Sequence, residues 1–190
     1  MEEGALARGE KKALEEERTL VFVDESGFYL LPAVLRTYAP VGQTPIIHEY
    51  LTRDHLSVIS GITLEGKLYM MVQEEAYNSI GVVSFLKHLL CHISGKLLVI
   101  WDGAPIHRSR VVKDYLTCGA AIRIHLEPLP AYAPDLNPDE GIWQYLKRVE
   151  LKNVSCQKTS HLRYELRKAK ERMRHKTRVI LGCFKGAGLY

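Results

Sequence analysis

No apolar run in these 190 residues approaches the roughly 20 needed to span a bilayer, and the Glu- and Lys-rich start has no apolar core of a secretory signal. The four cysteines (Cys91, Cys118, Cys156, Cys183) stand far apart with no C-x-x-C pair, so neither a disulfide framework nor a zinc ribbon is written here. Internal repeats and low-complexity tracts are also missing. These absences leave an ordinary cytosolic domain with reduced thiols. The 46% hydrophobic and 25% charged residues are enough to build one good core.

One further scarcity is local. Between residues 144 and 178 only Glu150, Glu165 and Glu171 oppose twelve Lys and Arg, a net of +9, whereas residues 1–143 carry a net of −6. A basic tail on a slightly acidic body points to a polyanion, nucleic acid first, although a solvated helix face has the same composition. Lys147, Arg148, Lys152, Arg163, Arg167, Lys168 and Arg174 are the candidate DNA contacts, with His107 as a candidate nearer any scissile bond.

The order of elements follows from periodicity. Leu20–Asp24 and Lys96–Asp102 are continuous apolar runs, each ending in a carboxylate, as expected of strands buried on both faces. Leu56–Thr63 and Lys67–Val72 flank Gly66 as a hairpin, and Ala121–Leu126 alternates as a fifth strand. Tyr77–His92 and Arg108–Leu116 have helical spacing, and residues 31–54, with three prolines, read as loop. Beyond Pro138 the pattern is helical nearly to the end, with Thr159 or Ser160 as the cap of a long basic helix. Hairpin first and helix-linked strands later give an α/β mixed sheet with helices on its faces. Parallel, adjacent central strands would bring Asp24 and Asp102 to one edge, where ligands of open α/β sheets gather.

The proline-punctuated stretch Leu129–Glu140 delivers a third carboxylate. Asn137 suits an N-cap and Pro138 the first helical position, which leaves Glu140 in the first turn. Glu140 either closes a capping box onto Asn137 or joins Asp24 and Asp102. Three converging carboxylates would repel one another and raise their pKa values, a strain that hard divalent cations relieve. Glu25, adjacent in its strand to Asp24, should face the other side of the sheet, as should Trp101 beside Asp102. His88, Cys91 and His92 have zinc-like spacing but no second ligand pair nearby. Trp143 and Leu146 read as the core face that anchors Glu140.

Phe22-Val-Asp-Glu-Ser-Gly-Phe28, Val99-Ile-Trp-Asp-Gly-Ala-Pro-Ile-His107 and Leu129-Pro-Ala-Tyr-Ala-Pro-Asp-Leu-Asn-Pro-Asp-Glu140 resemble the three signature blocks of DDE transposases, in particular the mariner superfamily and its bacterial insertion sequence 630 type. Tyr38–Pro45 is similar to that family's block between the first two acids. Tyr38 stands where tryptophan is frequent and Gly103 where asparagine is common; neither departure removes a ligand. The resemblance implies a ribonuclease H-like fold with Asp24, Asp102 and Glu140 as catalytic, metal-binding triad for Mg²⁺ or Mn²⁺, two ions per site. It implies cleavage of double-stranded DNA at transposon ends and strand transfer into target DNA, commonly at TA. An active homodimer and a bacterial cytoplasmic setting follow, with nucleoid association when DNA is bound.

The domain expectation is a helical lead-in over 1–19, a catalytic domain over 20–150 and a basic helical extension of it over 151–190. With about 19 residues before the first strand, the chain reads as the catalytic half of a split or truncated transposase, with helix-turn-helix recognition on a separate subunit. The alternatives are a regulatory, DNA-binding remnant that pairs with full-length transposase, and a general ribonuclease H-type nuclease.

Overall fold

The computed structural model describes residues 15–31, 35–36, 38–43, 46, 54–130 and 134–189. Residues 1–14 of the expected lead-in, and Thr44 and Pro45 of the Tyr38–Pro45 block, therefore lie outside the described residues, and Arg18 and Thr19 already belong to the first strand. Five strands form one sheet: β1 (Arg18–Tyr29), β2 (His55–Thr63), β3 (Leu68–Gln73), β4 (Lys96–Trp101) and β5 (Ile124–Pro128). Their order is β3-β2-β1-β4-β5. The pairs of β1 with β2 and β2 with β3 are antiparallel, and those of β1 with β4 and β4 with β5 are parallel. This is the mixed sheet of a ribonuclease H-like domain.

β1 corrects the expected strand. It runs twelve residues, and Asp24 lies in its middle rather than at its end. The apolar pattern stops at Asp24 because the β4 ladder does so just before it, at the pair Phe22–Ile100. β2 continues to pair out to Tyr29 opposite His55, which keeps the more polar second half extended. The central aspartate thus occupies the point where a strand flanked on two sides becomes a strand flanked on one.

Helices cover both faces. On one, α1 (Ser79–His92) and α2 (Arg110–Thr117) pack Val82, Phe85, Leu86, Leu89 and Val112 against Val21, Val23, Val99 and Trp101. Asn78 starts α1 by accepting the backbone N–H groups of Ile80 and Gly81, and Ser109 caps α2 through Val112. On the other face lie α3 (Asp139–Tyr145), a π-helical turn (Leu146–Glu150), α4 (Thr159–Arg174) and α5 (Thr177–Gly186). Trp143, Leu166, Met173, Ile180 and Phe184 pack there against Phe22, Phe28, Leu98 and Ile100. Phe184 meets Phe22 edge to face at 5.7 Å.

The basic segment is therefore half of this layer, and its single long helix is two. At the break, Lys176 turns aside to Glu150 (2.6 Å) and to the Tyr145 hydroxyl (3.2 Å). Neither Thr159 nor Ser160 is the cap; Lys158 holds that position without a side-chain hydrogen bond. α4 also guards the open edge of β3, where Arg163 donates to the Val72 carbonyl and Lys170 to that of Met70. Occupying these outward-facing carbonyls blunts the edge against pairing with another chain.

Candidate active site

Alternation along β1 sends Asp24 to the face of Phe22 and Trp143, and Glu25 to the face of Val23 and Trp101. The indole Nε1–H of Trp143 donates to Asp24 Oδ2 at 2.9 Å, while its ring packs edge-on against Phe28. Trp143 thus ties the strand carboxylate to the helix that follows the proline-rich stretch. Its role exceeds the anchoring expected from sequence. Burial, opposed by this bond and reinforced by the charges of Glu140 and Glu25, pushes the Asp24 carboxyl up to about 7.

Asp102 follows β4 directly and is exposed. Carried two residues past Phe22–Ile100, the parallel register would set its backbone opposite Asp24, but its side chain turns to His107 on the Trp101 side. Its Oδ1 accepts the Ala104 N–H at 2.9 Å, starting a tight turn that brings His107 back under the strand end. His107 Nδ1 lies 2.9 Å from Asp102 Oδ1 and Nε2 lies 2.9 Å from Glu25 Oε1. The imidazole stacks flat on Trp101, centroids 4.2 Å apart and planes at 6°. Burial works against the imidazolium, but Glu25 and Asp102 outweigh it and raise the His107 pKa. His107 is only 3% exposed, so it is an internal contact and not the DNA contact expected from sequence.

Glu140 opens α3. Asn137 accepts the Asp139 N–H through its side chain at 3.2 Å and the Glu140 N–H through its carbonyl, but the N-cap position falls one residue later than expected, on Pro138, which has no side-chain cap bond. The reciprocal half of a capping box is missing. Among the described residues the exposed Glu140 carboxylate has no hydrogen-bond partner and is left to act on Asp24. The next residue, Gly141, is small of necessity: a Cβ there would meet Cys183 Sγ of α5 at 2.8 Å.

Sequence reasoning missed Asp139. It is fully buried, accepts the Ser60 hydroxyl at 2.6 Å, and leaves Oδ2 without a partner. Ser60 is the cross-strand neighbour of Asp24, so all three residues share one small region. Burial, then the charges of Asp24, Glu25 and Glu140, push Asp139 well above the usual carboxylate range despite the Ser60 bond. The only sequence signal was a second acid beside Glu140.

Lys147 reaches the same end of the sheet from the π-helical turn. Its Nζ donates to Ser26 Oγ at 2.8 Å and lies over the Phe28 ring. Burial lowers its pKa, and the charges of Glu140 and Asp24 oppose that change. Of the other basic candidates, Arg148, Lys152, Arg167, Lys168 and Arg174 are exposed, whereas Arg163 is engaged by the β3 edge and Glu74.

Asp24 and Glu140 are therefore together, and Asp102 is brought to the same edge with one oxygen turned to His107. Among the described residues no three His, Cys, Asp or Glu side chains already surround one point. The donor chemistry nonetheless suits a hard divalent cation: the three groups are carboxylates, and Asp24 is desolvated amid like charge that a cation would relieve. His88 and His92 contact each other on exposed α1 and form no metal cluster with Cys91.

A family model described as DDE superfamily endonuclease matches residues 19–163. No curated protein matches the chain. Among solved structures, a pre-cleavage Mos1 transpososome superposes with a TM-score of 0.65 at 19% identity, covering 99% of this chain and 60% of that one. A mariner Mos1 paired-end complex with Mg gives 0.62 at 18% identity, covering 100% and 61%. The catalytic domain of Mos1 mariner transposase gives 0.59 at 16% identity, covering 99% and 90%. Identities this low establish the fold, and the chain spans about 60% of the length of the complexed chains.

Proposed function

Because the chain belongs to the DDE superfamily endonuclease family, we propose that it is the catalytic domain of a transposase of the insertion sequence 630 type, cutting DNA at transposon ends and joining the freed 3′-hydroxyl to target DNA at TA sites. What supports this reading is that Asp24 in mid-β1 is bonded through Trp143 to the helix that carries Glu140, and that Asp102 leaves β4 two residues beyond the end of its parallel ladder with β1.

Asp24, Asp102 and Glu140 are the residues that would hold Mg²⁺ or Mn²⁺, which when bound supply charge neutralisation at the phosphate and activation of the attacking oxygen. The chain's own residues do the positioning. Trp143 fixes the Asp24 carboxylate by its indole N–H. Asn137 sets the first turn of α3, and with it Glu140. Lys147 places a cation at the same end. The exposed Arg148, Lys152, Arg167 and Lys168 supply a sequence-independent grip on the phosphate backbone. The reading includes a homodimer in the active complex and a helix-turn-helix unit, outside these residues, that recognises the ends.

The test is metal-dependent nicking and strand transfer on DNA carrying the repeats that flank the coding frame. Wild type should cut in Mg²⁺, while Asp24→Ala, Asp102→Ala and Glu140→Ala should each lose the activity. Variants as active as wild type would remove the assignment. Equal cleavage of RNA–DNA hybrids would favour a general ribonuclease H-type nuclease.

A further inference from the structure

The least expected arrangement in the molecule is a buried imidazole set between the Glu25 carboxylate of β1 and Asp102 just past β4. Glu25 leaves β1 on the face opposite Asp24, and so cannot join the cation site with it. Its carboxylate is instead spent on His107 Nε2 at 2.9 Å. The other ring nitrogen meets Asp102 twice, at Oδ1 (2.9 Å) and at the backbone carbonyl (3.2 Å). Both ring nitrogens therefore face acceptors. Trp101 stacks on the ring and fixes its plane, and the turn through Ala104 and Pro105 fixes its distance from the strand end.

The consequence falls on Asp102. It is the one carboxylate of the three that lies past the end of its strand, on an exposed turn where no ladder holds it. Without support its side chain would sample several rotamers. The Ala104 N–H takes Oδ1, which also lies 2.9 Å from His107 Nδ1, so Oδ2 is the oxygen left without a partner among the described residues. One oxygen is anchored and the other presented. We propose that Glu25 and His107 are positioning residues: the Glu25–His107 pair, stacked on Trp101, locks the Asp102 carboxylate so that a single oxygen is offered to the cation. This proposal rests on the reading of Asp102 as a metal-binding residue.

The same device links the two central strands across the sheet edge. Glu25 belongs to β1 and His107 to the segment after β4, so their bond holds the strands together just where the β1–β4 ladder has ended. Supports of this kind around a metal-binding group change metal affinity or activity by about 10–100-fold when removed.

The experiment uses the full chain and Mn²⁺ as probe. Thermal melts across a Mn²⁺ titration give the concentration for half-maximal stabilisation, and nicking assays give kcat and the DNA KM separately. Glu25→Ala and His107→Phe, the latter preserving the stack on Trp101, should raise the half-stabilising Mn²⁺ about 10–100-fold and lower kcat with little change in KM. Glu25→Gln, whose amide oxygen still accepts the Nε2 hydrogen, should restore most of the metal response that Glu25→Ala removes. Should His107→Phe fail to fold, Glu25→Ala decides alone, since Glu25 is partly exposed. A purely structural pair would lower the metal-free melting temperature and leave the Mn²⁺ midpoint where it is, and that result overturns the proposal. Asp102→Ala separates the two levels. If it shifts the midpoint while Glu25→Ala and His107→Phe do not, only the positioning role fails; if Asp102→Ala itself matches wild type, the metal-site reading fails.

Discussion

Asp24→Asn should make the metal-free protein more stable, and more so as pH rises. The Asp24 carboxyl is moved from its ordinary 3.8 to about 7, by burial first, with Glu140 and Glu25 adding to it. A carboxyl whose folded pKa exceeds its unfolded value takes up a proton on folding, so its contribution is most favourable below 3.8 and is lost as pH rises to about 7. At 1.36 kcal/mol per pH unit the cost of ionised Asp24 is roughly 1.5 kcal/mol at pH 5 and at most roughly 4 kcal/mol at pH 8. Asparagine removes that cost and still accepts the Trp143 N–H through its side-chain oxygen. Asp139 also disfavours high pH, and because the Asp24 charge is part of what raises it, Asp24→Asn relieves Asp139 as well and adds to the variant's advantage in the same direction. Melts in EDTA should show the variant ahead by several degrees at pH 8, at about 2–4 °C per kcal/mol for a chain of this size, and by less at pH 5. Saturating Mg²⁺ should reverse the order, because only wild type retains the binding carboxylate. A variant less stable than wild type at pH 8 without metal, or an advantage independent of pH, would refute the electrostatic reasoning.

Other expectations follow from the same geometry. Trp143→Phe removes the indole N–H from Asp24 and should destabilise the protein by about 1.5–3 kcal/mol at pH 8, with a smaller effect at pH 5 where Asp24 is protonated; paired chemical denaturation curves measure it. Phe184→Ala should cost about 3–5 kcal/mol by urea denaturation, because the C-terminal helix is core and not appendage. Replacing Arg148, Lys152, Arg167 and Lys168 together by Gln should weaken duplex binding uniformly across sequences. The slope of log K against log salt should flatten by about 0.9 for each phosphate that is no longer neutralised, as fluorescence anisotropy over a salt series would show.

The sheet was readable because its centre is written in continuous apolar runs. Leu20–Val23 and Leu97–Trp101 are runs of four and five residues buried on both faces, as a central strand requires. What followed Asp24 was not readable. Glu25, Ser26 and Gly27 show no strand pattern of their own and are extended because β2 pairs with them from thirty residues away. The break between α4 and α5 was hidden for a related reason. No Gly or Pro marks it; Lys176 leaves the helical path to reach Glu150 and Tyr145, a contact between distant parts of the chain.

The site divides along the same line. Asp24, Asp102 and Glu140 announced themselves by local context, each at a strand or helix landmark, and their blocks resembled one family in the right order. The residues that hold them did not. Trp143 looked like packing, and only its indole N–H, aimed at Asp24, shows that it also fixes a carboxylate. Asp139 is invisible beside Glu140 until β2 brings Ser60 to it, and His107, visible as a candidate, shows its internal role only once Trp101 and Glu25 enclose it. Each of these supports joins residues more than 75 positions apart or turns a side chain away from solvent, and neither property leaves a trace in spacing or composition. The proposed carboxylate triad is thus specified twice: its candidate ligands by short motifs along the chain, and their orientation by polar side chains that meet only once the sheet has closed.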